Sequence, residues 1–141
     1  MTDYTHPILI VEDNPIDLDL AKRAFQKCEI LNPIQTARDG METLTYIERW
    51  LEGEELPAII LLDLKLPKFN GFDVLRKIKQ EKICSNIPII VLTSSTDLGD
   101  IRTAYEFGAN SYLIKPIGYD QFLDLIILID QYWIKSNVYP R

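Results

Sequence analysis

Five residues in this chain have the side chains that phosphoryl chemistry needs: Glu12, Asp13, Asp63, Thr93 and Lys115. Three carboxylates brought together repel one another, and at least one pKa rises unless a cation sits among them. Oxygen ligands favour a hard ion. A site with few protein ligands, completed by water, suits Mg²⁺ better than Ca²⁺. An aspartate carboxylate can also act as a nucleophile and form an acyl phosphate. A phosphoryl group in transfer needs its charge neutralised by Mg²⁺, by Lys115 as a second cation, and by a hydroxyl or backbone N–H at the third oxygen. That chemistry requires elements that bring the five residues together.

Apolar runs alternate with helical patterns along the whole chain. Ile8-Leu9-Ile10-Val11 reads as a first strand. A helix follows over roughly 15–29, with Asn14 as cap, Pro15 at its first position, and Leu18, Ala21, Phe25 and Cys28 on one buried face. Ile34–Ala37 is a more polar strand, as an edge strand can be. Asp39 opens a helix carrying Met41, Leu44, Ile47 or Glu48, and Leu51. Ala58–Leu62 and Ile89–Leu92 are apolar at every position. A third helix is expected over about 72–81 and a fourth over about 97–107, ending at Gly108 in the left-handed region. Tyr112-Leu113-Ile114 is a short fifth strand, and a long helix begins after Pro116. Continuously apolar strands separated by helices imply a parallel sheet covered on both faces. The fold class is α/β, a doubly wound five-stranded parallel sheet of the flavodoxin-like kind with strand order 2-1-3-4-5. In such a sheet the ligand site lies beyond the carboxyl ends of the strands, where their order reverses. Glu12-Asp13 follows the first strand, Asp63 the third, Thr93-Ser94 the fourth and Lys115-Pro116 the fifth.

Composition removes other chemistries. The 141 residues suit one domain, and 47% hydrophobic with 26% charged residues supports an ordinary core. Apolar runs of five to six residues do not span a bilayer, and the first residues lack the basic start of a signal peptide. A net charge of −6 and the absence of a helix-turn-helix pattern argue against nucleic acid binding. Cys28 and Cys84 are too few for a disulfide framework or a cysteine-rich zinc site, so a reducing, cytoplasmic setting is expected. His6 is the one histidine, beside a proline near the terminus, and is expected at the surface. Ser-His-Asp catalysis and multi-histidine metal sites are excluded. The glycines form neither a G-x-G-x-x-G nor a P-loop pattern. After the fifth strand about 26 residues remain, room for one helix and a tail rather than an output domain.

Glu12-Asp13, Asp63 with Pro67 and Gly71 after it, Thr93, and Lys115-Pro116 together resemble the response-regulator receiver domain. The resemblance covers essentially the whole chain. The stretch Asp63–Gly71 and Tyr132-Trp133 are most like stand-alone regulators paired with phytochrome-type histidine kinases. The resemblance implies that Asp63 is the phosphoacceptor, that Asp13 and Asp63 bind Mg²⁺ directly and Glu12 through water, and that the Lys65 carbonyl is a further ligand. It implies that Lys115 pairs with phosphoryl oxygens ahead of a cis bond to Pro116, that Thr93 bonds the phosphoryl group, and that Tyr112 is a rotamer switch. Glu12 in place of the more frequent Asp lengthens one arm. Ser94 stands where a smaller residue is common and bears on the dephosphorylation rate.

Singly, each residue has an ordinary reading: acids at a helix start, a turn aspartate, a cap threonine, a solvated lysine, a packed tyrosine. Jointly, at strand ends, they read as a site. The expected function is a phosphoacceptor switch fed by a partner histidine kinase. The alternatives are a docking module that signals without phosphorylation, and a phosphatase of the haloacid-dehalogenase kind. The latter needs a second acid two residues after the nucleophile, where this chain has Lys65. In the last helix Phe122, Leu125, Ile126, Ile129 and Trp133 form the inward face, while Leu123, Ile127, Leu128 and Ile134 make the rest apolar too. A helix apolar nearly all round is buried by something more. A homodimer through it is expected, with cover from its own tail Val138-Tyr139-Pro140 as the other option.

Overall fold

Strands without a polar residue need cover on both faces, and the chain supplies helices to both. The computed structural model describes residues 6–67 and 69–140. In chain order the elements are β1 (Ile8–Val11), α1 (Pro15–Lys27), β2 (Ile34–Ala37), α2 (Gly40–Leu51) and β3 (Ile59–Leu62). They continue with α3 (Gly71–Gln80), β4 (Ile89–Thr93), α4 (Leu98–Glu106), β5 (Ser111–Ile114) and α5 (Tyr119–Ile129), which runs into a π-helical turn over Asp130–Ile134. The five strands are parallel in the order β2-β1-β3-β4-β5. The fold is therefore the doubly wound flavodoxin-like sheet expected from the sequence.

Alternation along the strands divides the core in two. Leu9, Val11, Ile60 and Leu62 face Trp50 of α2 and Leu75 and Ile78 of α3. Ile8, Ile10, Ile59 and Leu61 face Phe25 of α1 and Ile126 and Ile129 of α5. Each side chain so enclosed contributes roughly 1.5–3 kcal/mol. Asn14, Asp39, Asn70 and Asp97 cap α1 to α4 through backbone N–H groups of the first turn. β1 and β3 end level, Val11 pairing with Leu62, whereas β4 and β5 run two residues further: Leu62 pairs with Val91, and Thr93 with Ile114. Glu12 and Asp63 are thus the first residues beyond neighbouring strands.

The α2 register departs from expectation. Thr43, Ile47 and Trp50 are buried, whereas Met41 and Leu51 are 50% and 57% exposed. Trp50 offers more area to bury than Leu51, so its face wins. In α1, Ala24 is buried with Leu18, Ala21 and Phe25, and Cys28 is half-buried at the end. Gly108 has φ +104°, which places it in the left-handed region expected of it. His6 is half-buried rather than on the surface, because its Nδ1 lies 3.0 Å from the Leu56 carbonyl and 3.1 Å from Glu55 Oε1. At the chain's end the wide turn shifts the helical phase. The Lys135 N–H donates to the Asp130 carbonyl at 2.9 Å, five residues back. Ile134, expected outward, is therefore buried. Ile127, Leu128 and Tyr132 remain exposed, and Tyr139 packs on the α1/α5 side with its hydroxyl donating to the Trp133 carbonyl.

Candidate functional site

The carboxyl ends of the strands make a crevice whose floor is apolar and whose rim is ionised. β1 and β3 deliver Glu12 and Asp63, both buried, and Asp13 beside them is exposed. One carboxylate oxygen from each of the three lies within 4.8 Å of the others. Lys115, one residue beyond β5, reaches across. Its Nζ is 2.8 Å from Asp63 Oδ2, 2.5 Å from Glu12 Oε2 and 3.2 Å from Asp17 Oδ2. Below the ammonium a cavity of about 170 Å³ is walled by Leu20, Ala21, Leu61 and Phe122. This apolar floor lowers the local dielectric and strengthens every charge interaction above it.

Local backbone geometry fixes the acids. Asp63 Oδ1 accepts the Lys65 N–H at 3.0 Å, and Glu12 Oε1 accepts the Asn14 N–H at 3.1 Å. The Lys65 side chain itself is exposed. Gly71 closes the loop after Asp63, its N–H donating to the Leu64 carbonyl at 2.9 Å. A Cβ at that position would lie 2.4 Å from Leu64 Cα, so only glycine fits without movement.

The electrostatics show a deficit of positive charge. Burial, with the nearby Asp63 charge adding to it, pushes Glu12 up from the ordinary carboxylate value to about 7, against the lowering effect of Lys115. Burial alone would lower Lys115, but its hydrogen bonds to Asp63 and Glu12 outweigh that and hold it above the usual lysine value. One ammonium does not balance Glu12, Asp13, Asp17 and Asp63. The donors within reach are oxygens; Cys28, Cys84 and His6 lie on other parts of the fold. Such a set fits a hard divalent ion.

Thr93 and Tyr112 stand apart from the acids. Thr93 is fully buried at the end of β4, and its Oγ1 accepts the Ser95 N–H at 3.5 Å. Tyr112 of β5 is half-buried and donates to the Ser95 carbonyl at 2.9 Å, so both residues are tied to the same turn of the β4–α4 loop. Burial raises the Tyr112 phenol above its ordinary value. Ser94 is exposed beside them. The expected cis bond before Pro116 is not found: all peptide bonds of the described residues are trans. Trans is the lower-energy isomer of an X–Pro bond by ~0.5–1 kcal/mol, and in it Lys115 already reaches the acids.

Asp17 is the site residue that sequence reasoning missed. An acid in the first turn of a helix has a sufficient reason in the helix dipole. The available signal was its place three residues after the Asn14 cap, on the turn that begins beside Asp13.

Known proteins share this fold and much of this sequence. The probable methanogenesis regulatory protein FilR2 of Methanothrix harundinacea is 42% identical over 135 residues, covering 94% of this chain and 86% of that protein. Response regulator Rcp1 of Synechocystis sp. is 32% identical over 145 residues, covering 99% of each. The structure of the Mn(2+)-bound form of Rcp1 superposes with a TM-score of 0.86 at 31% identity, over 96% of this chain and 99% of that one. The phosphorylated cyanobacterial phytochrome response regulator RcpA superposes with a TM-score of 0.89 at 32% identity, over 97% of this chain and 99% of that one. Residues 8–127 match the profile of the response regulator receiver domain. With strands in the order β2-β1-β3-β4-β5 and the acids gathered at their carboxyl ends, the chain belongs to the response regulator receiver domain family.

Proposed function

We propose that this chain is a phosphoacceptor switch that takes a phosphoryl group from the phosphohistidine of a partner histidine kinase onto Asp63. The observation that carries the reading is the Lys115 ammonium, 2.8 Å from Asp63 Oδ2, inside a crevice lined by Glu12 and Asp13. An Asp63 oxygen attacks phosphorus, an O–P bond forms, the N–P bond of phosphohistidine breaks, and the imidazole leaves with its electron pair. Lys115 holds charge against the transferring oxygens, and the Lys65 N–H orients Asp63 through its other oxygen. The Thr93 hydroxyl exchanges its bond with the Ser95 N–H for one to the phosphoryl group. That exchange moves the loop to which Tyr112 is tied, so a local charge event is transmitted to the β5 face.

Glu12, Asp13, Asp63 and the Lys65 carbonyl would hold Mg²⁺, with Glu12 acting through water. Bound there, Mg²⁺ supplies the neutralising charge that one lysine lacks. The likeness to RcpA, named as a phytochrome response regulator, supports a phytochrome-type kinase as partner. A second copy of the chain is the proposed cover for Ile127, Leu128 and Tyr132, which are 40%, 61% and 58% exposed on the last helix and wide turn. Sedimentation at tens of micromolar should give a dimer that Leu128→Glu dissociates; a parent monomer would remove this proposal.

The test of the main reading is label transfer. Phosphorylated kinase or acetyl phosphate should label the parent protein with Mg²⁺ present and leave Asp63→Asn unlabelled. Equal uptake by Asp63→Asn would overturn the reading.

A further inference from the structure

We propose that Asp17 is a positioning residue that anchors Lys115 from α1 throughout the phosphorylation cycle. This rests on Asp63 being the phosphoacceptor. An ammonium has three donors, and Lys115 gives each to a different carboxylate: Glu12 at 2.5 Å, Asp63 at 2.8 Å and Asp17 at 3.2 Å. The three partners are not equivalent. Asp63 is the group that reacts, so its contact with the ammonium must be exchanged for one to a phosphoryl oxygen. Glu12 belongs to the acid cluster with Asp13 and Asp63, and its charge is shared with any cation held there. Asp17 lies outside that cluster. It sits on the first turn of α1, where its own N–H is held by Asn14 Oδ1 at 3.2 Å. Its contact with Lys115 is the one that neither the reaction nor a cation alters.

A lysine on a flexible four-carbon stem needs such a fixed point to stay aimed while another partner changes. The side chain of Asp17 is 41% exposed, against 17% for Lys115. The anchor is therefore set at the rim, within reach of the ammonium but clear of the reacting oxygens.

The test uses the full chain with acetyl phosphate and Mg²⁺, and divalent-cation affinity is measured separately. Asp17→Ala is expected to slow phosphoryl uptake by roughly fivefold, the scale of a half-exposed ion pair. Cation affinity should stay at the parent value and Asp17→Glu should recover part of the rate. In a Lys115→Met background the Asp17 substitution should change the rate by less than about twofold, because its effect runs through the lysine. The direct field of Asp17 on an anionic donor persists in that background, so the cycle separates the two effects. Asp17→Asn, which keeps the side-chain shape, stands in should Asp17→Ala not fold. If the parent takes no label, the phosphoacceptor reading itself fails. If the parent labels but both Asp17 variants match its rate, or slow it equally with and without Lys115, the anchor is overturned and the phosphoacceptor reading stands.

Discussion

Replacing Gly71 by alanine should damage both stability and the site, and the size of the effect follows from three distances. A Cβ there would lie 2.4 Å from Leu64 Cα, 2.7 Å from the Asp63 carbonyl oxygen and 2.9 Å from the Leu64 carbonyl carbon. Carbon atoms rest at about 3.5–4.0 Å, so the loop or α3 must shift by about 1 Å. The obstructing atoms are backbone and cannot rotate away. Forcing extra volume into a packed region costs about 1–3 kcal/mol. The same shift strains the 2.9 Å hydrogen bond from the Gly71 N–H to the Leu64 carbonyl, worth about 0.5–1.5 kcal/mol. Against this, alanine for glycine in a helix gains at most about 0.5–1 kcal/mol, and less in a first turn. The net loss is about 2 kcal/mol, or a midpoint lowered by about 7 °C for a chain of this size. The displaced segment begins at Asp63, so phosphoryl uptake should fall by about tenfold through misplacement alone. Urea and thermal unfolding followed by tryptophan fluorescence measure the first effect, and acetyl phosphate labelling the second. A variant as stable as the parent and labelled at the parent rate would refute the reasoning.

Two further outcomes can be checked on purified protein. In EDTA, Glu12 titrates near 7 in the fold against 4.5 as a free side chain, because burial and Asp63 disfavour its charge. The folded state therefore holds a proton that the unfolded chain has lost. Stability should fall as pH rises from about 4.5 through about 7, by up to about 3 kcal/mol, and level off above. Glu12→Gln should flatten that slope in urea melts, and a variant with the parent slope would show that the acid cluster is not the cause. Away from the site, Lys79 Nζ donates to the Ser85 and Ile87 carbonyls and to Asn110 Oδ1 at 3.2, 3.0 and 2.9 Å. Lys79→Met removes the Lys79 donor from the Ser85 and Ile87 carbonyls, while Asn110 Oδ1 keeps the Ile89 N–H at 2.9 Å, and should cost about 2–3 kcal/mol by the same melts.

The sheet could be read from the sequence because its signal is redundant. Ile8–Val11, Ile59–Leu62 and Ile89–Leu92 hold no polar residue, and each is followed directly by a residue with chemistry. Once strand order is known, Glu12, Asp63 and Lys115 can only converge. What could not be read was whatever depends on a choice between apolar neighbours or on long-range geometry. Trp50 and Leu51 are adjacent and both apolar, so the α2 register turned on which of them the core could hold. The Asp130–Ile134 turn leaves no local mark, and the phase of Ile134 went astray with it. Asp17 already had a sufficient explanation as a helix-start acid. Its contact with Lys115 joins residues 98 apart in the chain, which no spacing rule reaches.

That wide turn also carries a slack of one residue. A π-helical turn holds one residue more than the regular helical path between the same two points. Shortening the segment by one, for instance by deleting Gln131, would let an unbroken α-helix run through it. Residues downstream would keep their facing, whereas making the turn regular at its present length would rotate them by about 100°, the angle between successive residues at 3.6 per turn. At that unshortened length Ile134 would leave the core, and the stretch that ends in Tyr139 would be aimed at a different part of the α1/α5 side. The seal at the foot of the barrel-free, open sheet is thus set by a length of chain rather than by the identity of any one side chain.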